Sequence, residues 1–302
     1  MSYTEHHYRS HDGLSLYYRD FGASDNVVLC LPGLTRNSKD FENLANHLSA
    51  DWRVICPDFR GRGQSDWDPK ISRYNPGTYA ADVWTLLDRL DIKKFAVIGT
   101  SLGGMTAMIM ADQQAHRLMG LVLNDIGPEV PAAAVARIMQ YVGRMPPTDD
   151  WTAAINQARA AYEAALPGMP PEFWDDFIRL SHREDESGRP VPDMDPAIGD
   201  AARNSLRLIN ILRWLRRHGL LRRIGGLNID AWDNLDAVTM PGLLLRGELS
   251  DVLAVETVSR MLERKPDLEV VTIPNRGHAP TLDEPIARES IGRFLNRLIS
   301  AS

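Results

Sequence analysis

Over roughly the first 125 residues, short uninterrupted apolar runs alternate with longer stretches of helical period. Residues 14–21, 27–31, 53–57, 95–99 and 118–123 have the length and the branched or aromatic content of strands. Residues 39–48, 78–90 and 101–115 fit helices between them, and Val83, Leu86, Leu87 and Leu90 fall on one face of the second. Strands without polar interruption, separated by helices, predict an α/β chain with a parallel sheet covered on both faces.

The alternation stops near Pro128 and resumes near Pro241 with a strand in GLLLRGE, a helix over 252–262, a strand in LEVVTIP and a last helix from about 284 to 298. The stretch between is helical in period and rich in proline (PPTDD, PGMPPEF, GRPVPDMDP). It divides the chain into a core domain, residues 1–127 and 236–302, and a helical cap or lid, residues 128–235. Trp151, Trp174, Trp214 and Trp232 lie in the cap, where they either close an apolar cavity or build the insertion's own core.

Composition narrows the function without deciding it. With 44% hydrophobic and 25% charged residues the chain reads as globular, and 34 basic against 40 acidic residues argue against a nucleic-acid partner. The opening MSYTEHHYRSHDG is polar, and no window holds 18 apolar residues in a row, so the expectation is a cytoplasmic protein without stable membrane insertion. Cys30 and Cys56 end two strand-like runs, as reduced core thiols do. The basic stretch 207–223 reads as a solvated lid helix. His6, His7 and His11 lack the cysteine or carboxylate spacing of a metal site, so no metal is expected. The run from Asp58 to Ser65, DFRGRGQS, lacks a full phosphate-binding fingerprint and reads as a tight loop.

The chemistry centres on Gly99-Thr100-Ser101-Leu102-Gly103. This G-x-S-x-G begins where an apolar strand ends and runs into a helix, the setting of a nucleophile elbow, where flanking glycines let strand and helix nearly touch. A serine hydroxyl needs a base and a group to orient that base. His278 is best placed, in the loop after LEVVTIP, at the end of the sheet where loops converge. Two aspartates follow strands at that same edge. Asp251, in GELSDVL, gives the order Ser, Asp, His and is preferred; Asp125, in LNDIGPE, is the alternative acid. An oxyanion hole would use the amides of Leu102 and of Leu34, the latter in a loop whose Gly33 could turn the backbone. The plainer reading of Ser101 is a helix cap.

Together, CLPGLTRN, DFRGRGQS, GTSLGG, RGELSDVL and NRGHAP resemble the capped α/β-hydrolase superfamily, and within it carboxylesterases and enol-lactone hydrolases. The resemblance implies a mostly parallel eight-stranded sheet with a cap inserted after the sixth strand. It implies Ser101 as nucleophile, His278 as base, Asp251 as acid and Leu34 and Leu102 as oxyanion donors. Many relatives carry histidine where this chain has Pro32. The expected activity is cofactor-independent hydrolysis of a small-molecule ester or lactone, which is partly apolar, through an acyl-enzyme. Rivals are carbon–carbon bond hydrolysis of a ring-fission product and a ligand-binding protein without turnover on the same scaffold.

Overall fold

The computed structural model describes residues 3–217 and 231–300, with the side chains of all of these except 208–217. In chain order the elements up to the insertion are β1 (Tyr3–Arg9), β2 (Ser15–Phe21), β3 (Val27–Leu31), α1 (Glu42–Leu48), β4 (Arg53–Pro57), α2 (Pro76–Arg89), β5 (Phe95–Thr100), α3 (Leu102–Gln114) and β6 (Leu118–Asn124). There follow α4 (Ala132–Tyr141), α5 (Trp151–Tyr162), α6 (Pro171–Ser181), β7 (His182–Glu184), β8 (Pro190–Pro192), α7 (Ala197–Arg217) and α8 (Ala231–Asp236). The chain then returns through β9 (Gly242–Gly247), α9 (Val255–Arg264), β10 (Leu268–Ile273) and α10 (Pro285–Ser300).

One eight-stranded sheet has the order β1-β2-β4-β3-β5-β6-β9-β10. β1 and β2 run antiparallel to their neighbours, and all other pairs are parallel. The apolar runs are continuous because both faces are buried. Leu29, Leu31, Val97, Leu121, Leu123 and Leu244 point into one core, whereas Val28, Cys30, Val54, Cys56, Ala96 and Ile98 point into the other. Cys30 and Cys56 are free, buried thiols on neighbouring strands. After β3 the chain first adds β4 on one side and then β5 on the other. The loops after β3 and β5 therefore part at the carboxyl edge, leaving a crevice.

Two elements depart from the expectation. β1 escapes the pattern because YTEHHYR is an edge strand with Tyr8 alone buried, so it needs no apolar alternation. The insertion, expected to be helical, also contains the β7–β8 hairpin, whose strands are too short and too proline-rich to read as strands. Among the described side chains, Trp151, Trp174 and Trp232 do not line the cavity at Ser101. Trp174 is buried among Phe173 and Phe177, Trp151 lies under Arg179 and donates to Glu184, and Trp232 packs under Arg260 and Arg264. The side chain of Trp214, and the basic stretch 207–223 beyond Arg207 itself apart from the backbone through 217, lie outside the described residues. Among the described residues, no helix is long and apolar enough to cross a membrane.

Candidate active site

Ser101 stands alone between β5 and α3 with φ 51° and ψ −113°, a backbone conformation that costs a non-glycine residue about 1–3 kcal/mol. Its neighbours explain how the turn fits. A Cβ on Gly99 would fall 2.5 Å from the amide nitrogen of Gly104, and one on Gly103 would fall 2.1 Å from the carbonyl oxygen of Leu31. Ser101 N–H donates to the carbonyl of Asn124 at 3.0 Å, tying the elbow to the end of β6. The hydroxyl makes no capping bond. Its Oγ lies instead 2.9 Å from His278 Nε2.

His278 sits in the loop after β10, and its Nδ1 lies 2.8 Å from Asp125 Oδ2. The acid that reaches this histidine is therefore Asp125, and the expectation for Asp251 fails on geometry. Asp251 is half exposed and pairs with Arg137 of α4, at 2.8 and 2.9 Å. The reason lies in the turn after β9, closed by Ser250 N–H on the Gly247 carbonyl at 3.0 Å. That turn aims Ser250 at the sheet edge and Asp251 outward.

Asp125 is fully buried and receives three donors. Gly247 N–H donates to Oδ1 at 2.9 Å, Ser250 Oγ–H to Oδ2 at 2.6 Å, and the Nδ1–H of His278 to Oδ2. These three donors compensate the burial of the group. With the Nδ1 proton held there, Nε2 is left to accept from the serine hydroxyl. Sequence reasoning missed Ser250, although it directly precedes the favoured aspartate. It also missed Asn124, whose buried side-chain amide donates to Thr100 Oγ1 at 3.1 Å and to the Pro280 carbonyl at 2.9 Å, holding the histidine loop against β5.

The loop after β3 comes close to the elbow, since a Cβ on Gly33 would lie 4.0 Å from that of Ser101. Gly33 itself is neither at positive φ nor crowded, so the turn does not depend on it as expected. The loop is anchored through Leu34, whose carbonyl accepts from Arg62 Nε at 3.1 Å and Nη2 at 3.0 Å. Arg62 has no exposed surface and also donates to the Arg60 carbonyl and to the Tyr79 hydroxyl. The DFRGRGQS loop that carries it also bonds the insertion, with Gly63 N–H on the Asp193 carbonyl and Asp195 N–H on the Gly61 carbonyl. What reads as a plain turn is a tie between the sheet, the loop after β3 and the insertion. Leu102 is the first residue of α3, and the amides there have no intrahelical acceptor.

Ser101 and His278 open into a cavity of about 260 Å³. Tyr141, Tyr162, Phe173 and Phe177 from the insertion and Leu34 and Leu282 from the sheet side line it. Arg36 also faces it, but its guanidinium is committed to Asp40 at 2.6 and 2.7 Å and to the Phe177 carbonyl at 3.2 Å. Elsewhere, His11, Asp12 and Asp82 converge closely enough to ligate a metal. Their carboxylates are already met by the buried Arg60, which also pairs with Asp68. His6 bonds Thr4, and His7 packs edge-on against Tyr17.

Comparison with known proteins bears on the fold. A family model described as the alpha/beta hydrolase fold matches residues 26–285. The chain is 30% identical over 280 residues to a 3-hydroxybutyrate-oligomer hydrolase of Cupriavidus necator, covering 89% of this chain and 88% of that one. It is 27% identical over 285 residues to a 2-(acetamidomethylene)succinate hydrolase of Mesorhizobium japonicum, covering 94% and 92%. A crystal structure of an alpha/beta hydrolase from Novosphingobium aromaticivorans superposes with a TM-score of 0.84 at 38% identity, covering 98% of both chains.

Proposed function

We propose that this chain, which belongs to the α/β-hydrolase fold family, is a serine hydrolase that cleaves a carboxylic ester or lactone through an acyl-enzyme. The observation that carries the reading is the unbroken path from Ser101 Oγ through His278 to buried Asp125, opening on an apolar cavity. Ser101 Oγ attacks the carbonyl carbon while His278 Nε2 takes its proton. Asp125 holds the Nδ1–H and balances the imidazolium as it forms. The amides of Leu34 and Leu102 stabilise the oxyanion. His278 then returns the proton to the leaving alcohol, and water, deprotonated by the same imidazole, releases the acid and restores Ser101.

The mechanism asks nothing of a metal or organic cofactor. The cap aromatics beside Ser101 support an apolar group on the substrate, and the name of the Cupriavidus necator relative supports an ester. The buried thiols of Cys30 and Cys56 suit a reducing, cytoplasmic setting. Hydrolysis of p-nitrophenyl acetate and butyrate, with Ser101→Ala as control, tests the class. The expected loss is about 10³-fold or more, together with loss of fluorophosphonate labelling. Turnover surviving in Ser101→Ala would refute the reading, and vinylogous diketones cleaved without any ester turnover would transfer it to carbon–carbon bond hydrolysis.

A further inference from the structure

A second cavity, of about 420 Å³, adjoins the first and takes no part in the chemistry above. Thr35, Arg36, Tyr141, Val142 and Tyr162 line both, so a single layer of side chains separates them. Within that layer the rings of Tyr141 and Tyr162 meet edge to face, 5.8 Å between centroids. Joining the two spaces requires rotation of either ring about its side-chain bonds, against the hydrogen bonds that tie Tyr162 to Tyr141 and Thr35 and Tyr141 to Arg137.

The far chamber is apolar along its length and charged at its lining's edge. Val142, Met145, Ala158, Ile178, Val191 and Met194 supply the apolar wall. The charged groups that face it are Arg36, Arg144, Arg183, Asp185 and, when protonated, His182. Three of these are spent or neutral. Arg36 is paired with Asp40, and Asp185 is folded onto Arg189 and Ser187. Burial, aided by Arg36, pushes the His182 pKa down to about 4, so this ring is uncharged at neutral pH.

The two remaining cations are under-used. Arg183 Nε is 3.9 Å from Asp193 Oδ1, while Lys39 holds Oδ2 of the same carboxylate at 3.1 Å. Among the described residues, Arg144 has no carboxylate within ion-pair distance. An apolar chamber with surplus guanidinium forks fits a hydrocarbon chain that ends in one carboxylate, since the fork matches that group and little else in the lining would solvate a dianion.

We propose that this chamber is a second substrate subsite: with the scissile ester against Ser101, the distal part of a linear acyl chain passes the Tyr141–Tyr162 partition and places a terminal carboxylate at Arg144 and Arg183. The inference rests on the serine-hydrolase reading and names the class of acyl group that the same site takes, the ω-carboxyacyl group of an α,ω-dicarboxylic half ester.

The test compares the mono-p-nitrophenyl ester of suberic acid with p-nitrophenyl octanoate and p-nitrophenyl acetate on the full chain. For the unaltered protein, kcat/KM is expected to favour the suberyl over the octanoyl ester by about tenfold. Arg144→Gln combined with Arg183→Gln should abolish that ratio. Val191→Phe, which fills the chamber, should lower the octanoyl-to-acetyl ratio by about tenfold. Either ratio unchanged by its variant overturns the proposal. Should Val191→Phe fail to fold, Met194→Trp makes the same measurement. If the unaltered protein turns over none of the three esters, the serine-hydrolase reading fails by itself. Calorimetric binding of suberate then decides the subsite: binding weakened by the arginine pair supports it, and no binding refutes it.

Discussion

Replacing Asp125 by asparagine changes one atom at the most buried point of the site, and its effect can be worked through the hydrogen bonds. The side chain accepts from Gly247 N–H at Oδ1 and from Ser250 and His278 at Oδ2. An amide nitrogen facing Gly247 would oppose a fixed backbone donor, so the asparagine oxygen stays there and its NH₂ takes the place of Oδ2. Ser250 can rotate its hydroxyl away, but its Oγ already accepts from the Val252 and Leu253 amides at 3.2 and 3.0 Å, so it meets the new NH₂ only by weakening one of those bonds. His278 has no such freedom: it must accept at Nδ1, which moves its proton to Nε2, facing Ser101 Oγ 2.9 Å away. The base is then of the wrong tautomer. A loss of about 10⁴-fold in kcat is expected, equivalent to about 5.5 kcal/mol of transition-state stabilisation. The cost in stability is about 1–3 kcal/mol, small enough for the protein to stay folded. In Asp251→Asn the change breaks only the exposed pair with Arg137, worth about 0–1 kcal/mol, and kcat should move by less than about twofold. Both variants are assayed with p-nitrophenyl butyrate, and circular dichroism melts check folding. A folded Asp251→Asn protein that loses activity while Asp125→Asn keeps it would refute the reasoning.

Two further predictions follow from neighbouring groups. Ser250→Ala removes a 2.6 Å bond to Asp125 Oδ2, and with it the restraint on the carboxylate. About a 5- to 30-fold fall in kcat is expected with KM little changed, restored in part by Ser250→Thr; a change in KM alone would make Ser250 a substrate contact. His182, with its pKa lowered to about 4 from an ordinary 6.5, binds fewer protons in the folded chain than in the unfolded one between those values. Its contribution is therefore intact above about pH 6.5 and declines as pH falls toward 4, by about 2 kcal/mol once its partial exposure is allowed for. His182→Gln should flatten the fall of Tm across that window, and an unaltered slope would show that other groups carry it.

Much of the sheet and the elbow is legible in the sequence because each obeys a local rule. A strand buried on both faces must be apolar throughout, as Val27–Leu31 is, and a serine turn pressed between strand and helix must be flanked by glycine. The choice between Asp125 and Asp251 is not local. It depends on which way the chain turns after Gly247, set by a carbonyl–amide bond that any residue could make. Both aspartates follow strands and both give the order Ser, Asp, His, so chain order cannot choose between them, and it does not say that β6 and β9 are neighbours in the sheet. Arg62 hides for a similar reason. In sequence it is one of several arginines, and its burial beneath Leu34 and Tyr79 exists only once three separated segments have met.

That burial ties the loop beside Ser101 to the sheet core, whereas the wall of the cavity depends on the insertion's own small cluster. The backbone of Arg62 pairs with Met194, and its guanidinium holds the carbonyl of Leu34. On warming, the first unit to open is the one with the fewest buried contacts, and the separate α5–α6 cluster of the insertion is far smaller than either sheet core. Loosening there withdraws Tyr162 and Phe177 from the wall of the cavity at Ser101 while Met194 and Arg62 stay packed with the sheet core and all eight strands remain paired. The protein should thus lose turnover reversibly, several degrees before its secondary structure melts, and the gap between the two temperatures measures how independently the α5–α6 pair opens from the sheet.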